Sequence, residues 1–275
     1  MCELFALNSN APASATFSFS GFSERGGRTG EHKDGWGMAF NDEAGCRVFV
    51  DAGRACDAPL AGFLRQHPIH ARTVLAHVRK ATQGAVELAN CHPFQRECFG
   101  RHWLFCHNGD LKNFRPRLDG SYLPVGSTDS ELAFCWLMQQ LRRSLAGGTA
   151  PRWPRVAPVL ARLLPALARH GVFNMLLSDG QALYAYGTTK LVWLQRQRPF
   201  GRARLLDGGL EIDFSATNAE TDRMALVATT PLTEGELWQA FEPGELRVFF
   251  EGRSVWRHSA ADADDAPGEP ALAFH

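Results

Sequence analysis

No excess of either charge marks this chain: Lys and Arg number 29, Asp and Glu number 29, across 275 residues. A nucleic-acid or anionic-membrane partner calls for a basic surplus, so the balance argues against both and toward a small molecule or another protein. No apolar run of about 18 residues occurs, which leaves no helical membrane span to expect. The N-terminal stretch lacks the basic start and unbroken apolar core of a secretory signal, being interrupted by Glu3, Asn8, Asn10 and Pro12. No CxxC pair exists, and none of the 7 cysteines lies beyond Cys135. A scattered, odd-numbered set is unlike a secreted disulfide framework and points to reduced thiols in a cytoplasmic setting. Internal repeats, a P-loop and a dinucleotide fingerprint are missing too, so nucleotide chemistry has no foothold. The length suits one large domain. We expect it to span residues 1–257, with 258–275 a flexible tail too poor in apolar residues to fold alone.

Among what is present, short apolar runs dominate the first hundred residues. Glu3 to Asn8, Gly37 to Asn41, Arg47 to Val50, Thr73 to Arg79 and Trp103 to His107 read as strands. The stretch "SERGGRTGEHKDGWG" (23–37) is too polar and glycine-dense for a core element and reads as a functional or mobile loop. "STDSE" is a helix start, and Leu132, Phe134, Trp136, Leu137 and Leu141 supply the apolar face of a helix ending before Gly147 and Gly148. A connector through Pro151, Pro154 and Pro158 should lead to a second helix over "VLARLLPALARHG", kinked or delayed by Pro165. Strands resume with "VFNMLLSDG" and "ALYAYGT", a hairpin turning at Asp179-Gly180, followed by "LVWLQR", "MALVATTPL" and "ELRVFF". Strands, helices and strands again predict a layered α+β fold of antiparallel sheets covered by helices.

Four segments carry chemistry. In "FCHNGDL" (105–111) a strand is expected to end at Asn108-Gly109, where a side-chain amide and a backbone N–H can aim at one oxyanion; a plain hairpin turn is the simpler alternative. In "LAHVRKATQG" (75–84) alternation puts Leu75, His77 and Arg79 on one face, so that Arg79 reaches a loop-built pocket near Thr82 and Gly84. A guanidinium there could grip a carboxylate through two parallel bonds, or simply form a surface ion pair. "ANCHPF" and "GSTDSELAF" add His92 and Asp129, the latter either a helix N-terminal residue or a ligand for an ammonium. Cys91, His92, Cys98, His102, Cys106 and His107 crowd together as zinc ligands might, but the spacing is wrong and Cys106 and His107 point to opposite faces, so no metal is expected.

Taken together, and with Cys2 directly behind Met1, these segments resemble the class II glutamine amidotransferases, most closely the stand-alone YafJ-type branch. "MCELFAL", "HKDGWGMAF", "HVRKATQG", "CHPF", "HNGDL" and "STDSE" follow in that family's order, and "GVFNMLLSDG" and "ATTPLTEGELWQAFEPGEL" extend the likeness over most of the chain. Departures are Lys33 in the first loop and Lys80, which stands where many relatives carry tryptophan. The resemblance implies an N-terminal nucleophile hydrolase fold, a four-layer αββα sandwich. It implies that Met1 is removed and that Cys2 attacks a side-chain amide with its own α-amine as base. Asn108 and Gly109 would form the oxyanion hole, Arg79 and Asp129 would hold the substrate's carboxylate and ammonium, and Trp36, Gly37, Thr82 and His92 would shape the pocket. Neither cofactor nor metal is implied.

Two other activities remain open on these residues. One is hydrolysis of a γ-glutamyl amide or dipeptide-like metabolite; the other, from a different class, is glutamine sensing without turnover. If ammonia is used, its acceptor is expected on a separate synthase.

Overall fold

The computed structural model describes residues 1–42, 45–146 and 150–259. The chain opens with β1 (Glu3–Ser14), passes through α1 (Thr16–Glu24), and continues as the antiparallel pair β2 (Trp36–Asp42) and β3 (Gly45–Asp51). After α2 (Pro59–Gln66) and β4 (His70–Val78), a long loop with a 3-10 turn at Leu88–Asn90 leads to the pair β5 (Phe94–Cys98) and β6 (Arg101–Leu111). Two helices follow, α3 (Asp129–Ser144) and α4 (Trp153–Ala168), then the hairpin of β7 (Gly171–Ser178) and β8 (Ala182–Gly187). The remaining strands are β9 (Val192–Gln197), β10 (Arg202–Leu205), β11 (Glu211–Asp213), β12 (Arg223–Ala228), β13 (Thr233–Glu234), β14 (Gln239–Ala240), β15 (Glu245–Phe250) and β16 (Arg253–His258).

Two antiparallel sheets carry the fold. The first runs β14-β9-β12-β1-β4-β2-β3 and the second β16-β15-β8-β7-β6-β5, with a small satellite of β11, β10 and β13. Alternation along β1 explains the layering. Leu4 and Ala6 face the inter-sheet core with Leu75, Leu104, Cys106, Leu176 and Val227, while Phe5 and Leu7 pack with Phe19, Phe22 and Leu64 of α1 and α2. On the far side, Phe105 stacks on Phe134 with centroids 4.9 Å apart, and Leu137, Leu160 and Leu164 complete that core. Each such buried side chain stabilises the fold by roughly 1.5–3 kcal/mol. The order is therefore helices, sheet, sheet, helices, the αββα sandwich expected. Among the described residues, no helix is long and apolar enough to cross a membrane.

The helices need three corrections. α1 and α2 were not expected, because α1 has neither a side-chain cap nor an acidic first turn and α2 has only 8 residues; both exist by packing on the first sheet. α4 begins at Trp153, so Pro154 belongs to its first turn, where the missing N–H is harmless, and Pro158 lies inside the helix rather than in a connector; Pro165 lies inside it as expected. Burial of Val156, Leu160, Leu163, Leu164 and Leu167 outweighs the lost backbone bonds. α3 is as expected: Thr128 caps the Glu131 N–H at 3.2 Å, and Asp129 and Glu131 sit in the first turn.

A further correction concerns β6, which does not end at Asn108-Gly109. It continues to Leu111, with Asn108 opposite Asn174 and Gly109 opposite Phe173, so these two are strand residues and not a turn. Of the tail expected over 258–275, His258 closes β16 and Ser259 is buried, while residues 260 onward, like Gly147 and Gly148, lie outside the described residues.

Candidate active site

Cys2 stands at the head of β1, beside the end of β4, where Glu3 pairs with Val78. Its parity with Leu4 and Ala6 turns the side chain toward the second sheet. The Lys80 N–H donates to the sulfur at 3.4 Å, and the thiol lies 3.5 Å from the Lys80 carbonyl. Burial pushes the Cys2 thiol above its ordinary value; the Lys80 backbone, the N-terminal positive charge and Arg79 pull it back, and Asp129 adds to the rise. Met1 is half exposed, and its carbonyl lies 2.8 Å from the His32 Nε2. One residue on, Glu3 is pinned by Arg25, which donates to the Glu3 carboxylate at 3.1 Å, to Asp207 at 2.7 Å and to the Thr230 hydroxyl at 2.6 Å. The segment carrying Cys2 is thus fixed by a buried ion network as well as by its strand.

The second sheet supplies neutral donors. Phe173 donates its N–H to Thr188 and Leu111 donates its N–H to Asp129, whereas Lys112 donates to the His170 carbonyl across the β6–β7 ladder. Phe173 on β7 therefore points its N–H away from β6, and odd-numbered residues of β6 point theirs away from β7. By the same parity the Gly109 N–H points away from β7, beyond the last β5–β6 pair at Phe94 and Phe105. A Cβ on Gly109 would stand 1.8 Å from the Val172 carbonyl oxygen, so only glycine fits. The Asn108 side chain is fully buried, its amide nitrogen 3.5 Å from the Thr229 hydroxyl and its amide oxygen without a hydrogen-bond partner.

Asp129, half buried at the start of α3, accepts the Leu111 N–H at 2.7 Å, and its charge reaches the Cys2 thiol. Arg79 also lies close enough to act on that thiol, but its guanidinium is turned to backbone. It donates to Ala85 and Gln83 carbonyls at 2.9 Å each, and to Asp34 and Gly84 at 3.3 and 3.4 Å. Arg79 thus fastens the loop after β4 and is no surface ion pair. Asn90 ties the far end of that loop to Ala85 and to Ser127, and Gln83 bonds Asp110. Lys80 touches the Cys2 sulfur, Arg79 and Asp129 act on it through their charges, and Thr229 links Leu4 of the same strand to the Asn108 amide.

A thiol at the second residue, on a strand that Thr229 ties to the Asn108 amide, is the arrangement on which comparison with known proteins bears. The family described as glutamine amidotransferases class-II matches residues 1–271. The chain belongs to that family. It is 45% identical to the putative glutamine amidotransferase YafJ of Escherichia coli over 93% of this chain and 100% of that protein. A putative glutamine amidotransferase of Haemophilus influenzae is 39% identical over 93% of this chain and 86% of its own. The 2.0 Å crystal structure of a predicted glutamine amidotransferase from Pseudomonas aeruginosa superposes with a TM-score of 0.74 at 40% identity, covering 93% of this chain and all of that one. The amidotransferase is accordingly an enzyme of the N-terminal nucleophile fold.

Other residues singled out in the sequence sit apart from the thiol. Trp36 packs on Phe19 at 5.9 Å in the core beneath α1 and α2, on the face of the first sheet opposite to Cys2, so its side chain does not line this site. Gly37 lets the His92 segment cross β2: a Cβ there would stand 2.2 Å from the His92 carbonyl. His92 itself is interior, stacked between His77 at 4.2 Å and Phe94 at 4.3 Å, with both ring nitrogens unpartnered. Burial lowers His77 to about 3 and His92 well below its ordinary value, so both rings are neutral. Thr82 lies on the exposed loop after β4. The Cys and His crowd disperses, and among the described residues no three His, Cys, Asp or Glu side chains converge as metal ligands. Cavities of about 290 and 360 Å³ flank Arg196 and Phe214 and touch none of the site residues; Arg196 is spent on Glu236 at 2.6 Å.

Sequence reasoning missed Arg25, His32, Asn90 and Thr229 as builders of this site. Arg25 and His32 lie in the polar loop 23–37, where a run of charge gives no hint of which side chain turns inward. Thr229 lies in "ATTPL", which marked a family likeness without a role.

Proposed function

We propose that this amidotransferase hydrolyses the side-chain amide of glutamine, or of a γ-glutamyl amide, through a γ-glutamyl thioester on Cys2. The observation that carries the reading is the Cys2 thiol held by the Lys80 backbone on a strand that Thr229 links to the buried Asn108 amide of the opposite sheet. Removal of Met1 frees an α-amine on the nucleophile's own residue, and with an ordinary pKa of about 7.7–8.0 that amine is partly neutral near pH 7. It takes the thiol proton as sulfur bonds to the amide carbon. The carbonyl oxygen becomes an oxyanion received by Asn108 and Gly109. Collapse breaks the C–N bond, the protonated amine gives its proton to the leaving nitrogen, and ammonia or an amine departs. Water then attacks the thioester, again assisted by the amine, and glutamate leaves with the thiol restored.

Asp129 suits the substrate ammonium, since one carboxylate oxygen is held by the Leu111 N–H. Arg79 can serve the α-carboxylate only by exchange: one or more of its carbonyls at Gln83, Gly84 and Ala85 must give way, which couples substrate entry to movement of that loop. Ammonia passes, in this reading, to a separate synthase. The 7 cysteines are all unpaired, which supports a reducing, cytoplasmic setting.

The test is intact mass of protein made without an N-terminal tag, paired with glutamate release from glutamine and from a panel of γ-glutamyl amides and dipeptides. Loss of Met1 with turnover that vanishes in Cys2→Ala is the expected result, and the preferred amide names the substrate. A processed chain with no turnover on any member would sink the reading in favour of a sensor.

A further inference from the structure

Thr229, just past β12, grips the nucleophile strand with two groups: its N–H donates to the Leu4 carbonyl at 3.0 Å and its hydroxyl oxygen accepts the Leu4 N–H at 2.9 Å. That same hydroxyl is the neighbour of the Asn108 amide in the opposite sheet, at 3.5 Å. With the amide nitrogen facing it, an oxygen that already accepts from Leu4 is offered a second donor at long range, while the amide oxygen is left buried with none. The two ends of an asparagine amide are nearly the same shape, so hydrogen-bond accounting decides which way it points. Turning the amide over pairs its oxygen with the Thr229 hydroxyl and leaves the NH2 for an incoming oxygen. The Thr229 hydroxyl, accepting from Leu4, donates its own hydrogen to the amide oxygen, and the NH2 is delivered to the position the unpartnered oxygen now holds.

We propose that Thr229 is the positioning residue of the oxyanion hole, fixing Asn108 so that its NH2, and not its oxygen, faces the reacting carbonyl. The inference rests on the glutamine-hydrolysis reading for its kinetic consequence. One hydroxyl then does two things at once. It seats the strand two residues from Cys2 and orients the donor across the inter-sheet gap, so nucleophile and oxyanion hole are registered to each other by a single side chain. An unrestrained asparagine would spend part of its time with a carbonyl dipole pointed at developing negative charge, and misdirecting one such donor costs on the order of 10²-fold in kcat.

Thr229→Val keeps the shape and removes the hydroxyl; Thr229→Ser keeps the hydroxyl. Valine is expected to lower kcat by about 10²-fold with KM changed less than about threefold, and serine to restore most of it. Because valine also unpairs the Leu4 N–H, alkylation of Cys2 by iodoacetamide is measured in parallel. That reaction needs no oxyanion hole and is expected to proceed at the wild-type rate, whereas a displaced strand would slow both. In an Asn108→Ala background Thr229→Val should cost nothing further; additive losses would overturn the proposal. A neutron structure reads the amide directly: deuterium on the Asn108 nitrogen pointing at the Thr229 oxygen overturns it whether or not any amide is turned over. Wild-type inactivity on every amide would instead count against the substrate reading alone.

Discussion

The two sheets bring different kinds of component to the same point. From the second come Asn108, Gly109 and, through Leu111, the orientation of Asp129, all set by the β6–β7 ladder and the start of α3. From the first come Cys2, behind Met1, and Arg79, whose donors are engaged by the loop it anchors. In the proposed reaction one side is finished once the chain has folded, and the other depends on removal of Met1 and on a loop. Electrostatic stabilisation is strongest when donors need no rearrangement as charge develops, so rigidity belongs on the oxyanion side. Substrate has to enter, so adaptability belongs where Arg79 and its loop lie.

Damage to the finished side should be the most costly. Gly109→Ala places a methyl against the Val172 carbonyl and is expected to remove more than about 3 kcal/mol of stability or to prevent soluble folding, as urea denaturation would show. Wild-type stability in that variant would mean that β6 and β7 are not held as closely as described.

Acid should act next. His77 is held neutral by burial, with its pKa lowered to about 3 and that of His92 lower than usual as well. Unfolded histidines bind protons below about pH 6.5 while these do not, so the unfolded state gains the protons and stability falls as pH drops from about 6.5 toward 3. His92→Phe, which preserves the stack on Phe94, should flatten the acid limb of a Tm-against-pH curve and leave turnover within about threefold. A much larger loss of turnover would put the imidazole in contact with substrate.

Arg79→Lys tests the adaptable side. Lysine cannot span four carbonyls, so cleavage by protease within residues 81–91 should accelerate several-fold, and KM should rise more than kcat falls. Equal protection of the loop would show that Asn90 and Gln83 suffice to hold it. The smallest effect is expected at the rim, where Glu31→Gln removes the exposed partner of Lys80. Tm should not move measurably, and a shift in amide preference alone would mark this pair as a determinant of substrate choice.

Where the sequence was legible, local chemistry decided the outcome. α3 could be read because Thr128, Asp129 and Glu131 form its cap and Phe134, Leu137 and Leu141 its buried face. Cys2, Asn108 and Gly109 were singled out by the order of motifs shared with the family, Asn-Gly by itself reading as a turn, and their catalytic roles rest on the proposed function. Illegible were features set by distant partners: α1 and α2 exist through contact with the first sheet, and β6 outruns its Asn-Gly because Asn174 and Phe173 pair with it. Alternation put Arg79 on the proper face but said nothing of the Gln83 and Ala85 carbonyls that fold back onto it. Thr229 was invisible as a functional residue because its role comes from Leu4 on one side and Asn108 on the other, both more than 100 positions away.

The pairing of β1 with β12 has a consequence in time. Phe5 lies opposite Ala228 and Ser9 opposite Met224, so the strand that bears the nucleophile acquires one of its two neighbours only when most of the polypeptide exists. Its other neighbour, β4, is made early, and Thr73 to Val78 can pair with it while synthesis continues. On the ribosome, Cys2 therefore emerges first, but its seat is completed near the end, when Thr229 arrives to clasp Leu4. A chain broken off before that point would hold β1 by β4 alone, without the clasp of Thr229 on Leu4.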